Sequence, residues 1–528
     1  MQKNKPLISV RNLKQYFPVK GKKDLFVKAN DGISLDIFEG ETLGIVGESG
    51  CGKSTLGRVL LQLYKQTDGE TIYYGHTLDS VAPWYAYDIY KNLENKCKEA
   101  KTFIEKAEKL ETEYASLEKS LQGKDDESSR STLFAKMNEK NEARRVADSE
   151  YLAIVRLVGG FYAANDYSEA SKVLVEYYDS TLNIKNVNLK IADVVMQLED
   201  AKFYNEKGKD KSGKISSLEA ELKSLNAQID SLEVVRKEKE AKVEAVRAKY
   251  AGNEEFRHYE AMRDDGINLA RLKYNEMRHL RRDIQLIFQD PYSSLNPRLT
   301  VGQIIAEGPI THKFFKTNDE RMQEYSMNLM EDCGLASYMI HRYPHQFSGG
   351  QRQRIGIARA LSVKPKFVVC DEAVSALDVS IQSQIINLLQ ELKEKENLTY
   401  MFISHDLSVV KYISDRIAVM YLGNIVELAS SAKMFEKPLH PYTEALLSAI
   451  PTTDNETKKD MIMIEGDIPS PINPPKGCKF NTRCNYVMDI CTQVVPDFAE
   501  IEPDHFVACH KYNEAGRAGE STELSADS

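Results

Sequence analysis

The sequence lacks the long apolar segments that a membrane-spanning protein needs. No uninterrupted apolar run approaches the roughly 18 residues of a membrane helix, and the N-terminus shows no apolar signal-peptide core. Lys and Arg (70) do not outnumber Asp and Glu (79), and the net charge of −9 argues against a partner made of nucleic acid or a strongly anionic membrane surface. These absences predict a cytosolic protein whose membrane contact comes through partners. A length of 528 residues predicts several domains.

Proline is missing between Pro83 and Pro291, a segment rich in Lys, Glu, Ala and Leu, which is a helical composition. Its apolar residues recur at alternating three- and four-residue steps, the repeat of a coiled coil. The longer stripe contains Ile215, Leu218, Leu222, Leu225, Ile229, Leu232, Val243, Val246 and Tyr250, and an earlier one runs through Leu93, Cys97, Ala100, Ile104 and Ala107. The economical interpretation is one antiparallel coiled-coil hairpin with its tip around Tyr151, Ile154, Val155, Val158 and residues 163–182. A helical bundle is the alternative.

Paired CxxC motifs, which are typical of structural zinc sites, are also absent. Four of the eight cysteines nevertheless cluster near the C-terminus: Cys478, Cys484, Cys491 and Cys509. In a cytosolic chain such a cluster indicates metal binding more often than disulfides. An iron–sulfur cluster, zinc and unligated thiols all remain open on spacing alone.

What the sequence does contain is a phosphate-binding loop. Residues 47–55 read GESGCGKST between a short apolar run and a helical pattern, the context that a GxxxxGKS motif requires. Its glycines let backbone N–H groups point at a phosphate chain, and the helix N-terminus adds its positive dipole end. Lys53 would reach the β- and γ-phosphates of a nucleoside triphosphate, and Ser54 would hold Mg²⁺. The predicted nucleotide-binding residues here are Gly47, Ser49, Gly50, Cys51, Gly52, Lys53, Ser54 and Thr55.

Further phosphate chemistry follows downstream. Residues 366–372 read KFVVCDE, a buried strand that would present Asp371 to Mg²⁺ and Glu372 to the attacking water. A second apolar strand ends before His405, where an imidazole can contact a γ-phosphate. A Ser-Gly-Gly-Gln sequence opening a helix makes a second phosphate cradle from Ser348, Gly349, Gly350 and Gln351.

These elements, in this order, resemble those of the ATP-binding cassette (ABC) ATPases. The resemblance implies that Gln289 is the Q-loop residue and a Mg²⁺ ligand, and that Asp378 belongs to the D-loop after the Walker B strand. It implies that Phe17, by spacing, stacks on adenine. In that family two cassettes pack head to tail, so that Ser348 and Gly350 of one chain would cap the ATP held by Lys53 of the other. One motif set therefore makes half of an active dimer.

Three stretches resemble the ATPase subunits of oligopeptide and dipeptide importers, most nearly the second (F-type) subunit: QDPYSSLNPRLTVGQIIAEGP from residue 289, LHPYTEALLSAIP from 439 and GDIPSPINPPKGCKFNTRC from 466. The resemblance covers residues 5–79 and 278–512. It implies peptide import, a second, paralogous ATPase subunit in a heterodimer, two transmembrane permease subunits docking at 289–305, an extracytoplasmic peptide-binding protein, and a peripheral position on the cytoplasmic face of the cell membrane. It also implies a [4Fe–4S] cluster on the four C-terminal cysteines.

The predicted fold is an α/β P-loop cassette with an antiparallel β subdomain and a helical signature subdomain. We expect the cassette at 1–79 and 278–435, a helical coiled-coil insertion at 80–277, a C-terminal oligopeptide-transporter-type domain with the cysteines at 436–512, and a flexible tail at 513–528. The alternative function is a non-transport coiled-coil ABC ATPase acting on nucleic acid or ribosomes. The insertion's position before the Q-loop disfavours it. Ala373 replaces a usual Pro, which is expected to loosen the turn after Glu372.

Overall fold

The computed structural model describes residues 5–22, 25–121, 127–164, 166–375, 377–449 and 462–512. The predicted tail at 513–528 lies outside them. The chain divides into two compact units, the first formed by Met1–Thr71 and Arg278–Ser528 and the second by Ile72–Met277.

Twelve strands and sixteen α-helices occur within the described ranges. The strands are β1 (Pro6–Pro18), β2 (Phe26–Phe38), β3 (Thr42–Val46), β4 (Asp68–Tyr73), β5 (Ile267–Asn268), β6 (Ile284–Ile287), β7 (Phe367–Asp371), β8 (Thr399–Ile403), β9 (Arg416–Tyr421), β10 (Asn424–Ser430), β11 (Ala499–Glu502) and β12 (His505–Val507). The helices are α1 (Lys53–Leu60), α2 (Leu78–Val81), α3 (Trp84–Lys91), α4 (Leu93–Leu121), α5 (Glu127–Val158), α6 (Tyr167–Glu206), α7 (Ser212–Ala248), α8 (Glu254–Glu260), α9 (Tyr274–Leu280), α10 (Val301–Thr311), α11 (Glu320–Asp332), α12 (Gly349–Leu361), α13 (Val379–Glu396), α14 (Leu407–Ile413), α15 (Ser431–Glu436) and α16 (Pro441–Ser448).

The first unit is built on an eight-stranded sheet in the order β11-β12-β10-β9-β3-β8-β7-β6. Strands β9, β3, β8, β7 and β6 run parallel to their neighbours, and β10, β12 and β11 continue the sheet antiparallel. Every residue of β3, β7 and β8 is buried, as expected for parallel strands covered on both faces. The carboxyl ends of β3, β7 and β8 therefore share one edge of the sheet, and the mixed α/β character predicted from the sequence is confirmed.

A second, antiparallel sheet in the first unit contains β1 paired with β2. Its register runs from Pro6 opposite Phe38 to Pro18 opposite Phe26, with several irregularities that bend the pair. The first half of β2 lies close to the phosphate-binding loop, since the side chain of Asn30 donates to the Gly52 carbonyl at 3.1 Å.

The second unit is helical. Helix α4 packs along α5, and α6 packs along α7 with a reversal at residues 207–211. Ion pairs cross each helix pair, between Lys136 and Glu113 at 2.5 Å and between Lys202 and Glu219 at 3.2 Å. The unit thus contains two successive antiparallel helix pairs.

The predicted single hairpin with its tip near Tyr151 is wrong. Ile154, Val155 and Val158 at the end of α5 are buried in the largest core of the second unit, with Phe161 and Tyr162 following them. These residues form a core with α3, the start of α6 and α8. Burying their apolar surface in this core lowers the free energy more than leaving it exposed at the tip of a hairpin would. The periodicity showed helices but did not show which helices pair.

The C-terminal part of the first unit is organised around a fully buried carboxylate. Glu427 on β10 accepts hydrogen bonds from the backbone N–H groups of Leu439 (2.8 Å) and His440 (2.9 Å), and its carboxylate lies 2.7 Å from Nε2 of His505. His440 Nδ1 in turn accepts the N–H of Tyr442 at 3.1 Å and caps α16. Burial lowers the pKa of His440 to about 4, against the opposing charge of Glu427.

This burial predicts a pH-dependent stability. The unfolded chain protonates His440 below a pKa of about 6.5, whereas the folded chain does so only near 4. The unfolded state therefore binds more protons between these values, and the stabilisation present above pH 6.5 is lost as the pH falls towards 4. We expect His440→Asn to flatten the decline of the urea midpoint from pH 7.5 to 5, while the exposed-site control His341→Asn keeps the wild-type decline. Equal slopes in all three proteins would contradict this assignment.

Candidate functional site

The phosphate-binding loop occupies the turn between the buried strand β3 and helix α1. Gly47 and Gly52 adopt φ values of +148° and +102°, a region that side chains disfavour. A Cβ at Gly47 would lie 2.2 Å from the Met420 carbonyl oxygen, and one at Gly52 would lie 2.1 Å from that of Ala29. Glycine is therefore required at both ends of the loop, by backbone conformation and by space.

Neighbouring segments hold this loop from outside. The Gly423 N–H donates to the Cys51 carbonyl at 2.9 Å, and the Glu48 N–H donates to the hydroxyl of Tyr442 at 2.9 Å. Inside the loop, Lys53 Nζ donates to the carbonyls of Gly47 (2.8 Å) and Glu48 (3.0 Å). The lysine charge is thus held within the curl of the predicted phosphate cradle.

Two oxygen-bearing side chains that the sequence predicted as Mg²⁺ ligands, Ser54 and Asp371, meet beside the loop. Ser54 Oγ donates to Asp371 Oδ1 at 2.6 Å, and Arg58 approaches the other carboxylate oxygen at 3.6 Å. Burial raises the pKa of Asp371, although Ser54 and Arg58 act in the opposite direction. A hydroxyl and a carboxylate are hard ligands that suit Mg²⁺, which takes its remaining ligands from phosphates and water. No group of three or more His, Cys, Asp or Glu side chains in the described ranges could hold a metal ion.

The predicted catalytic side chains converge at the ends of β6, β7 and β8. Gln289 Nε2 donates to Glu372 Oε2 at 2.6 Å, and His405 Nδ1 lies 3.8 Å from Glu372 Oε1. The Glu372 carboxylate is therefore approached from both sides by the residues that sequence motifs assigned to the same reaction. Placement at three neighbouring strand ends explains why residues far apart in the chain meet here.

The backbone of Glu372 was not anticipated by the sequence. It adopts φ +47°, a left-handed conformation that is strained for a residue with a side chain. Its N–H donates to the Ile403 carbonyl at 3.0 Å, and its own carbonyl accepts from the Ser375 hydroxyl at 3.0 Å. These bonds hold the turn although Ala373, which is buried, stands where Pro was expected.

The signature residues form a well-capped helix start. Ser348 Oγ accepts the Gln351 N–H at 3.3 Å, and Gln351 Oε1 accepts the Ser348 N–H at 3.1 Å, a capping box that opens α12. A Cβ at Gly350 would approach Ile381 of α13 to 2.6 Å, so this glycine lets the two helices touch. Gly349 has no such crowding. The signature thus packs against α13 rather than joining the cluster around Glu372.

Asp378 caps the first turn of α13. Its Oδ1 accepts the Ile381 N–H at 3.0 Å and the Ser380 hydroxyl at 2.8 Å, and the Ser380 bond is the main cause of its lowered pKa. Val379 beside it is 78% exposed.

Phe17, the predicted adenine-stacking residue, is partly exposed at the end of β1. Its ring packs edge-to-face on Tyr64 with 5.4 Å between centroids. The neighbouring Tyr16 hydroxyl is hydrogen-bonded to Asp31. Burial opposes ionisation of Asp31, but Lys479 and Tyr16 outweigh it and lower its pKa.

All four C-terminal cysteines are free thiols in one region of the first unit. The Cys478 N–H donates to the Cys491 carbonyl at 2.8 Å. Burial raises the pKa of Cys478 to about 12 and that of Cys509 to about 11, and it also raises the pKa of Cys484; neighbouring thiols add to each shift. Among the described residues these thiols do not form a group of three or more side chains arranged to hold a metal ion.

In the part of the chain that the structure describes, no helix combines the length and apolar character needed to cross a membrane.

Comparisons with known proteins agree with the geometry. A family model described as "ABC transporter" matches residues 30–159 and 256–375, and one described as "Oligopeptide/dipeptide transporter, C-terminal region" matches residues 426–491. The oligopeptide transport ATP-binding protein AppF of Bacillus subtilis is 51% identical over 253 residues, which is 47% of this chain and 76% of AppF. YkfD of the same bacterium is 52% identical over 252 residues, with the same coverage of both chains. The chain belongs to the family of ABC ATP-binding subunits of oligopeptide/dipeptide transporters.

Proposed function

We propose that this chain hydrolyses ATP to power the import of oligopeptides through a membrane permease. The observation that carries the proposal is the meeting of Gln289, Glu372 and His405 next to the Ser54–Asp371 pair. A group of hydrolysis residues of this kind, in a chain that matches the peptide-transporter C-terminal region, supports transport over the nucleic-acid or ribosome alternative.

Each residue at the site has a distinct part in hydrolysis. Lys53 and the loop N–H groups bind the phosphate charge, and Ser54 and Asp371 would hold Mg²⁺, which when bound neutralises charge on the β- and γ-phosphates. Glu372 orients the attacking water and accepts its proton as the new oxygen–phosphorus bond forms and the bond to ADP breaks. Gln289 would join the Mg²⁺ ligands and His405 would contact the γ-phosphate, and both side chains lie beside the Glu372 carboxylate.

We extend the proposal to a second ATPase subunit, a paralogue of this chain in a heterodimer. The chain has one signature, and its helix is capped by its own residues Ser348 and Gln351. The exposed Val379 at the D-loop supports a contact there. In such a dimer Ser348 and Gly350 cap the ATP held by the partner, and ATP binding closes the pair.

Exposed aromatic residues support a permease-docking surface at 289–305 and its surroundings. Tyr292 (60% exposed) and Tyr338 (71% exposed) each have an arginine over the ring, Arg352 at 4.0 Å and Arg342 at 5.8 Å. The Val301 N–H bonds to the Arg342 carbonyl at 2.9 Å and joins the two segments. Rings with polar rims are typical of protein interfaces. The proposed partners are two transmembrane permease subunits, with an extracytoplasmic peptide-binding protein, and the proposed position is the cytoplasmic face of the cell membrane.

The four C-terminal thiols are proposed to hold a [4Fe–4S] cluster. Cluster binding would deprotonate thiols whose pKa burial has raised, so the metal-free form is expected to keep them neutral. Protein purified without oxygen should contain iron and should absorb light at about 400 nm. Cys484→Ser should lower both signals, and the control Cys333→Ser, at a buried cysteine elsewhere, should leave them unchanged. Zinc in place of iron, or no metal, would reject the cluster.

For the second unit we propose that α6 and α7 form an antiparallel coiled coil that reaches a partner or regulates the ATPase. Val194, Leu198 and Leu218 are buried between the helices. Lys239 pairs with Glu176 and Lys202 with Glu219, which fixes the register. Replacing residues 190–230 by a short glycine linker would shorten both helices by nearly the same length. Unchanged peptide uptake, ATP turnover and complex composition would count against this role.

The import function is tested by uptake of a labelled oligopeptide in cells that lack this chain. The wild-type chain should restore uptake, and Glu372→Gln, expressed to the same level, should not. Uptake of an unrelated nutrient serves as the control for general energy loss. Restoration by both proteins, or by neither, would contradict the proposal.

A further inference from the structure

The segment between Cys478 and Cys484 is tied directly to the phosphate-binding loop. Arg483 NH1 donates to Glu48 Oε2 at 2.8 Å, and NH2 donates to Oε1 at 3.1 Å. The pair is largely shielded, with 7% of the arginine side chain and 24% of the glutamate side chain exposed. Two parallel bonds to one carboxylate fix orientation as well as distance.

The same segment also braces the structures that hold the loop from outside. Lys479 Nζ donates to Asp31 at 2.9 Å, to the Leu422 carbonyl at 3.0 Å and to Asn424. Asp31 follows the residue that bonds Gly52, and Leu422 precedes the Gly423 that bonds Cys51. The segment 479–483 therefore contacts both supports of the loop and the loop itself.

Glu48 is held at two points by the C-terminal part of the chain. Its backbone N–H donates a hydrogen bond to the hydroxyl of the buried Tyr442, and its carboxylate accepts hydrogen bonds from Arg483. Arg483 also lies near the Tyr421 ring and hydroxyl, which limits the positions that its guanidinium can take. Since the loop must keep several N–H groups aimed at one phosphate chain, restraining Glu48 before binding reduces the entropy lost when ATP binds.

We propose that Arg483 is a positioning residue for ATP binding, which acts on the phosphate-binding loop through Glu48. The inference deepens the proposed ATPase function and rests on it for the identity of the ligand. Arg483 touches no reacting atom in this arrangement. The affinity for ATP therefore depends on the conformation of the cysteine-bearing segment.

The test measures the ATP dissociation constant, KM and kcat of the full-length protein carrying Arg483→Met, Arg483→Lys or Glu48→Gln. We expect Arg483→Met to raise the dissociation constant and KM about tenfold, with kcat changed less than about twofold. Arg483→Lys should recover part of the affinity, since one charged bond remains. The control Lys437→Met removes an exposed ion pair with Glu502 in the same part of the chain and should change neither constant.

The double variant Glu48→Gln/Arg483→Met separates positioning from a general structural effect. If Arg483 acts through Glu48, the double variant should bind ATP about as weakly as the weaker single variant. Additive losses, an unchanged KM in Arg483→Met, or a fall in kcat at constant KM would each overturn the proposal. Iron content and melting temperature are measured on every variant, and a KM effect that appears only where iron is lost also overturns it. A failure of peptide uptake with normal ATP constants would instead reject the import function.

Discussion

Replacing Glu372 by Gln should lower kcat for ATP hydrolysis by about 10²–10⁴-fold, the range contributed by general bases. The side chain at 372 keeps nearly the same volume and one oxygen that can accept the hydrogen bond from the Gln289 amide. The geometry of the site should therefore persist. It loses only the group that accepts the proton of the attacking water. ATP binding should therefore remain close to that of the wild type, and ATP-dependent dimers should accumulate because turnover no longer separates them.

The measurement is steady-state phosphate release together with nucleotide binding at equilibrium. Glu391→Gln, an exposed acid on α13, is the matched control and should hydrolyse ATP normally. Turnover of Glu372→Gln at the wild-type rate would mean that another group accepts the proton. Loss of ATP binding would mean that the strained turn at Glu372 does not tolerate the change.

Replacing Lys53 by Met should weaken ATP binding about 100-fold, because the loop loses the one side-chain cation placed inside it. The lysine is only 5% exposed and donates to the Gly47 and Glu48 carbonyls, so its loss removes a donor from each, although the Cys51 N–H still donates to the Glu48 carbonyl at 3.3 Å. Binding of a fluorescent ATP analogue measures the effect, and the melting temperature without nucleotide measures the structural part.

Arg58→Met provides the comparison for Lys53. Arg58 is also a cation near the site but lies 3.6 Å from Asp371 and outside the loop. We expect a clearly smaller loss of ATP affinity from this variant. Equal losses in both variants would show that total charge at the site, rather than the position of Lys53, determines the affinity.

The positions of the residues that lie beside the phosphate-binding loop and around Glu372 were predictable because each belongs to a short local pattern. The sequence directly shows the glycines at 47 and 52, the acid pair at the end of β7 and the histidine after β8. Parallel strands then bring the ends of β7 and β8 together. The start of α12 at Ser348 was predictable for the same reason, from the Ser-Gly-Gly-Gln sequence, whereas its capping box was found only in the structure.

Long-range partners were not predictable from such patterns. Arg483 and Glu48 are 435 residues apart in the chain, and nothing in the local sequence around Arg483 distinguishes it from other exposed-looking arginines. The left-handed backbone at Glu372 also has no sequence signal, since it is imposed by bonds to Ile403 and Ser375. A signal for Tyr442 did exist in the HPYT stretch, but its role in holding Glu48 depends on the folded position of α16.

The prediction of which helices pair in the second unit was wrong for a related reason. The apolar repeat along α7 was consistent with several partners, because a heptad stripe specifies a face and not the helix that covers it. The aromatic residues that follow α5, Phe161 and Tyr162, contribute to a core that also contains Phe256 and Tyr178. Their number and size, rather than their spacing, would have been the better guide.

The most direct test of the central claim is to isolate the full-length chain from membranes in mild detergent and identify its stoichiometric companions. We expect two polytopic permease subunits and a second ABC ATPase, retained by the wild type and by Glu372→Gln. Ribosomes or DNA-associated proteins in stoichiometric amounts, with no membrane subunit, would contradict it.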